Sequence, residues 1–99
     1  MLNITKEVKE KELTIALEGR LDTVTAPQLE TEVREGIEGI ENLIIDCANL
    51  EYISSAGLRV LLSAQKMMNK QGSMIVRNVS EEVREIFDVT GFIDILTIE

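Results

Sequence analysis

The chain has 99 residues, 44% of them hydrophobic and 3% aromatic, with 18 acidic against 10 basic side chains and a formal net charge of −8. That size fits one domain with one aliphatic core, and the charge opposes both a phosphate backbone and an anionic membrane surface, so neither nucleic acid nor membrane is an expected partner. No run approaches the roughly 20 apolar residues of a membrane span, and the first residues lack the basic stretch and apolar core of a signal peptide, so the expected location is cytoplasmic.

Leu2, Ile4 and Val8 fall on even positions, and Leu13, Ile15 and Leu17 alternate with Thr14, Ala16 and Glu18. Both segments read as strands with one buried face. The polar stretch KEKE, residues 9–12, predicts the turn of a hairpin between them. Thr25 is placed to cap a first helix, with Gln28 three residues on completing a capping box. Pro27 fits the first turn, where no donor is needed. Leu29, Val33, Ile37 and Ile40 recur at helical spacing, and Gly36 and Gly39 weaken the end, so the helix is expected over about 26–38.

The apolar run LIIDC, residues 43–47, predicts a central strand covered on both faces. Cys47, the only cysteine, can form no internal disulfide and reads as a small buried residue rather than a reactive thiol. A second helix is expected over 55–70, stopped by Gly72, and a further central strand over 73–76. Ser80 caps a third helix, with Glu81 and Glu82 at the positive end of its dipole. Val83, Ile86 and Phe87 form its buried stripe and Gly91 ends it. Phe92 to Ile98 predicts a last short strand. The order ββαβαβαβ implies an α/β fold: an N-terminal β-hairpin, then alternating helices and strands, with a mixed central sheet and packed helices.

The stretch YISSAGLRVLL, residues 52–62, carries the candidate site. The chain has no histidine, so neither Ser54 nor Ser55 can belong to a Ser-His-Asp triad. No Gly-x-Ser-x-Gly, phosphate-binding loop or metal-ligand cluster is present, so no cofactor and no catalysis are expected. One of the two serines sits at the N-cap of the second helix, where its hydroxyl accepts from a backbone N–H one turn on. The same location tolerates a phosphate, because free N–H groups and the positive helix end favour an anion. A phosphoserine there adds about −1.5 to −2 charge to the surface without melting the helix. Ala56 and Gly57 keep the next positions small, so another molecule can approach. At about 100° per residue, Arg59, Ser63, Lys66 and Lys70 form one basic stripe, with Val60 and Met67 on its flank. The apolar arc of this helix spans about 220°, wider than the stripe of about 100° that packing requires. The excess is either a partner surface or is covered by other elements.

The block LIIDCANLEYISSAGLRVLL resembles the signature of STAS domains, specifically the stand-alone bacterial anti-sigma factor antagonists: an apolar strand, a short loop, then Asp-Ser-Ser/Thr-Gly-Leu entering a helix. GRLDTVTAPQLE resembles the family's Gly-x-Leu-Asp…Thr-Ala segment, and VREIFDVTGF resembles its Val-x-x-x-Phe-x-x-(Ser/Thr)-Gly-Leu segment. The resemblance implies a single STAS domain over 1–99. It makes Ser55, two residues before Gly57, the phosphorylated serine. Ser54 stands where the family usually has Asp, which makes it the alternative acceptor, and Ala56 stands where the family has Ser or Thr. Asp22 matches the Asp of a loop that lies near the phosphorylation site, with Thr25 in the same loop. Contact area is expected from Ala56, Gly57, Leu58, Arg59, Val60 and Met67.

The implied mechanism is partner switching. The unmodified protein binds an anti-sigma factor that is also a serine kinase, which frees a sigma factor. The kinase then phosphorylates Ser55 and the charged form no longer docks; a serine phosphatase resets it. ATP and magnesium belong to the kinase, so the chain needs no cofactor, and the free protein is expected to be a monomer. The alternative is a STAS ligand-binding or scaffold module without active phospho-switching.

Overall fold

Alternating apolar residues build the first half of the sheet. The computed structural model describes residues 2–99. In it β1 (Leu2–Lys9) and β2 (Glu12–Leu21) form an antiparallel hairpin, with Ile4 opposite Leu17 and Val8 opposite Leu13. The turn carries Glu10 at φ 58, a left-handed conformation uncommon for a residue with a Cβ. β2 pairs in parallel with β3 (Asn42–Ile53), and β3 in parallel with β4 (Ser73–Arg77), giving the order β1-β2-β3-β4. The sheet is therefore mixed, as expected.

Two crossovers join the parallel strands. They contain α1 (Ala26–Gly36) and α2 (Ser55–Asn69). The strands step in one direction across the sheet, so the right-handed preference of such crossovers puts both helices on one face. Side-chain burial agrees: Leu13, Ile15 and Leu17, Leu43, Ile45 and Cys47, and Met74 and Val76 are all buried. Their sheet neighbours on the other face, Thr14, Ala16, Asp46 and Arg77, are only half-buried. Leu43 and Ile45 belong to the core, but Ile44 between them is 9% exposed and lies outside it, on the open face with Thr14 and Asp46, so the two-sided cover expected from the apolar run does not form. Cys47 is wholly buried. Burial, with the Asp46 charge adding to it, pushes its thiol up to about 12, so it is not a reactive nucleophile.

Several expectations need correction. β1 has a buried face only at its start: Val8 is 61% exposed. β1 is the sheet edge, and α1 meets it through Gln28 Nε2 on the Leu2 carbonyl and Glu32 on Lys6, with Val8 beyond both contacts. β3 does not stop at Cys47. It runs on to Ile53 past the end of β4, paired with β2 alone through two register shifts. α1 ends at Gly36, two residues early, with the Ile37 N–H on the Val33 carbonyl.

The expected last strand does not form. After α3 (Glu81–Thr90), Gly91 takes φ 82 and Phe92–Asp94 makes one 3-10 turn. Only Ile98 reaches the sheet, in a single parallel bridge to Val76. Leu96 is buried with Phe92 and Ile93 packed against the same core. That spacing belongs to a turn of helix rather than to a strand, whose period is two. At its other end α3 follows expectation: the Ser80 hydroxyl accepts from the Val83 N–H at 3.3 Å, and Val83 and Phe87 are fully buried.

The wide apolar arc of α2 is mostly covered. Leu58, Val60, Leu61, Ala64 and Met68 are buried, and α2 packs on α1, β3 and β4. Leu62 and Met67 are half-buried.

Candidate functional site

The site forms where β2 and β3 end together. Leu21 and Ile53 are paired across the two strands, and the Ser54 N–H donates to the Leu21 carbonyl at 2.8 Å. This bond ties the start of α2 to the loop that leads into α1. Ser54 is extended, at φ −99 and ψ 176, and its hydroxyl accepts from the Gly57 N–H at 3.4 Å. Its carbonyl accepts from the Leu58 N–H at 3.0 Å. Ser54 is therefore the N-cap. Ser55 is the first helical residue, exposed, and its hydroxyl has no hydrogen-bond partner among the described residues. The two neighbouring hydroxyls are thus assigned different work by the backbone.

That division has a measurable consequence. Ser54→Ala removes the cap and should cost about 0.5–1 kcal/mol. Ser55→Ala, at an exposed position without contacts, should stay within about 0.5 kcal/mol of the parent. Urea unfolding of both variants checks this; equal losses would contradict the division.

The loop beside the serines is held by Asp22 and Thr25 together. The expected capping box at Thr25 does not form: Thr25 is already helical, at φ −93 and ψ −18, and makes no side-chain cap bond. Its hydroxyl instead accepts from the Asp22 N–H at 2.8 Å and donates to the Arg20 carbonyl at 2.8 Å. Asp22 Oδ1 accepts from the N–H groups of Val24 and Thr25, each at 3.0 Å. The Thr25 hydroxyl is thus held toward β2, and the Gln28 N–H, which a cap would have bonded, goes to the Thr25 carbonyl at 3.0 Å. The Thr25 N–H in particular, then the Thr25 hydroxyl and the Val24 N–H, hold the Asp22 carboxyl below its usual range.

Of the residues expected to contact a partner, Asp22, Ser54, Ala56 and Met67 are half-buried, and Arg59 is exposed. Thr25, Gly57, Leu58 and Val60 are buried and offer little surface of their own. Thr25 locks the loop, Gly57 lets α2 approach Leu21 and Ile53, and Leu58 and Val60 pack in the core. Between the two helices runs a shallow groove of about 220 Å³, with Thr23, Pro27 and Glu30 on one wall and Ala56 and Arg59 on the other. The basic stripe of α2 is real: Arg59, Lys66 and Lys70 are exposed.

Sequence reasoning missed three residues here. Val24 is 85% exposed at the tip of the loop. An apolar residue between Asp22 and Pro27, with no partner at helical or strand spacing, was the available signal. Arg20 and Tyr52 are paired across β2 and β3, with the guanidinium 4.3 Å from the ring centre. Nothing in the sequence links them, because their register depends on the shifts in β3. Among the described residues no group of three acidic, Cys or His side chains could hold a metal, and no helix is long and apolar enough to cross a membrane.

The family model of the STAS domain matches residues 3–99. The chain belongs to the STAS domain family. A relative of this STAS domain, the anti-sigma-B factor antagonist of Bacillus subtilis, is 34% identical over 100 residues, spanning 98% of this chain and 92% of that protein. The crystal structure of an anti-sigma factor antagonist from Mycobacterium paratuberculosis superposes with a TM-score of 0.90 at 22% identity, covering 99% of this chain and 85% of that one. The Bacillus cell fate determinant SpoIIAA, solved in its phosphorylated form, gives a TM-score of 0.76 at 21% identity over 98% of this chain and 91% of that one. These superpositions establish the common STAS fold.

Proposed function

We propose that this STAS domain is an anti-sigma factor antagonist working by partner switching, with Ser55 as the switch. The observation that carries the reading is the exposed, uncommitted Ser55 hydroxyl at the start of α2, next to a serine already engaged as the cap. Relatives named as anti-sigma factor antagonists support it, as does a protein of the same fold solved in a phosphorylated form.

In this reading the unmodified domain docks its Asp22–Thr25 loop and the exposed side of α2 on an anti-sigma factor kinase and displaces a sigma factor. The bound kinase transfers the γ-phosphoryl of its ATP to Ser55 Oγ; the hydroxyl proton leaves and ADP departs. The new dianion meets the partner surface that had accepted a neutral hydroxyl, and the complex dissociates. A phosphatase returns the serine by adding water and releasing inorganic phosphate. The domain acts in the cytoplasm as a free monomer between encounters.

The test is incubation with an anti-sigma factor kinase from the same genome and Mg-ATP, read by intact and peptide mass. One phosphate on Ser55 is expected. Ser55→Asp should weaken kinase binding by roughly tenfold or more, the scale of a charge placed at an interface, while Ser55→Ala should keep it. Phosphate on Ser54 would move the switch by one residue. Binding without phosphate would indicate a scaffold, and absence of both with every candidate kinase would indicate a ligand-binding module.

A further inference from the structure

Arg59 lies four residues after Ser55 on α2, one turn along the same face, and both are exposed. The order is the favourable one: an anion at the first helical position and a cation at the fourth residue after it agree with each other and with the helix dipole. No carboxylate holds the guanidinium. The ion pairs among the described residues are Lys6 with Glu32, Lys11 with Glu41, and Arg34 with Glu30. Glu30 is the acid lining the groove beside Arg59, and it is already engaged by Arg34 at 3.1 Å. The helix end itself adds only the N–H groups of Ser55 and Ala56, which have no partner among the described residues and act alike whether or not Arg59 is present. The Gly57 N–H is committed to the Ser54 hydroxyl and the Leu58 N–H to the Ser54 carbonyl. Ala56, between the two positions, is too small to screen one from the other.

We propose that Arg59 is this domain's internal receptor for a phosphate on Ser55. The inference rests on the reading of Ser55 as the modified residue. The guanidinium swings back one turn and donates to the phosphate oxygens through its planar fork. The modification then does two things at one surface. It adds a dianion, and it withdraws a cation that the unmodified domain presents at the groove. A partner that meets the unmodified face with a carboxylate opposite Arg59 loses that attraction at the moment it gains a repulsion.

The test does not need the kinase. Phosphoserine is installed at position 55 during synthesis, in the parent and in Arg59→Gln, and the second ionisation of the phosphate is followed by phosphorus NMR. The pKa should be about half a pH unit lower with Arg59 present, the scale of a helical ion pair strengthened by a second charge. The difference should shrink in 1 M salt. Asp22 in the loop, Glu30 and Arg34 on α1, and Arg20 on β2 act on both proteins alike and cancel in the comparison. The Arg59 side-chain N–H signal should shift with the same midpoint. Equal phosphate pKa values in the two proteins overturn the proposal. The kinase incubation fails on its own terms, by leaving Ser55 unmodified, so the two ideas can fall separately.

Discussion

Gly72→Ala is expected to lower the melting temperature by about 12–24 °C, the effect of roughly 3 kcal/mol on a domain of this size. A Cβ at position 72 would lie 1.8 Å from the Glu41 carbonyl oxygen and 2.6 Å from its carbon. Nothing flexible can yield, because the obstacle is backbone. That backbone is pinned on both sides: the Glu41 N–H donates to the Lys11 carbonyl at 2.8 Å, and the Ser73 N–H donates to the Glu41 carbonyl at 2.9 Å. Next door, Gln71 Nε2 donates to the Ile37 and Ile40 carbonyls at 2.7 and 2.6 Å. Relieving the clash means separating the starts of β3 and β4, where Asn42 pairs with Ser73. A loss of 3 kcal/mol is a large share of the 5–15 kcal/mol that holds a small domain together. Thermal unfolding followed by circular dichroism checks it; a midpoint within about 3 °C of the parent would mean that the loop between α2 and β4 can move freely.

What the sequence made legible was whatever near neighbours decide. The hairpin follows from alternation, the Ser80 cap from its own helix, and the strand at Leu43 to Ile45 from an unbroken apolar run. What it hid depended on distant partners. The extension of β3 to Ile53 is held by β2 alone, and through ANLEY only Leu50 points inward. The segment after Gly91 contains enough apolar residues for a strand, yet its core contacts fall at helical spacing. Thr25 fits the capping-box pattern, but its hydroxyl is taken by the Asp22 N–H and the Arg20 carbonyl, partners upstream of the helix that the pattern does not contain. Which of the two serines caps α2 could not be read from residue type, since both are serine; the cap is set by the Leu21 carbonyl, which takes the Ser54 N–H and fixes where the helix begins. For the same reason the Arg20–Tyr52 stack came from the structure: it exists only once the ends of β2 and β3 are brought together.

Gly57 is where core packing and the proposed switch meet, and there two opposing effects can be weighed. A helical alanine is favoured over glycine by about 1 kcal/mol. Against this, a Cβ at position 57 would stand 2.7 Å from Leu21 Cγ and 2.9 Å from Ile53 Cγ1. Leu21 is 0% exposed and Ile53 1%, so neither can swing into solvent. Overpacking of this kind costs about 1–3 kcal/mol. Gly57→Ala should therefore be destabilised by about 1 kcal/mol net, with strain outweighing propensity. Gly57→Val adds two methyl groups to the same gap and loses the propensity gain, so it should lose more than about 3 kcal/mol and melt at least 12 °C lower. The strain also has a direction. It lifts the first turn of α2 away from Leu21, stretching the 2.8 Å bond from the Ser54 N–H and moving Ser55 with it. Phosphorylation of Gly57→Ala, measured well below its melting point, should be slower than that of the parent. An unchanged rate in a folded but destabilised Gly57→Ala would show that the kinase reads the serine without needing the helix start held in place.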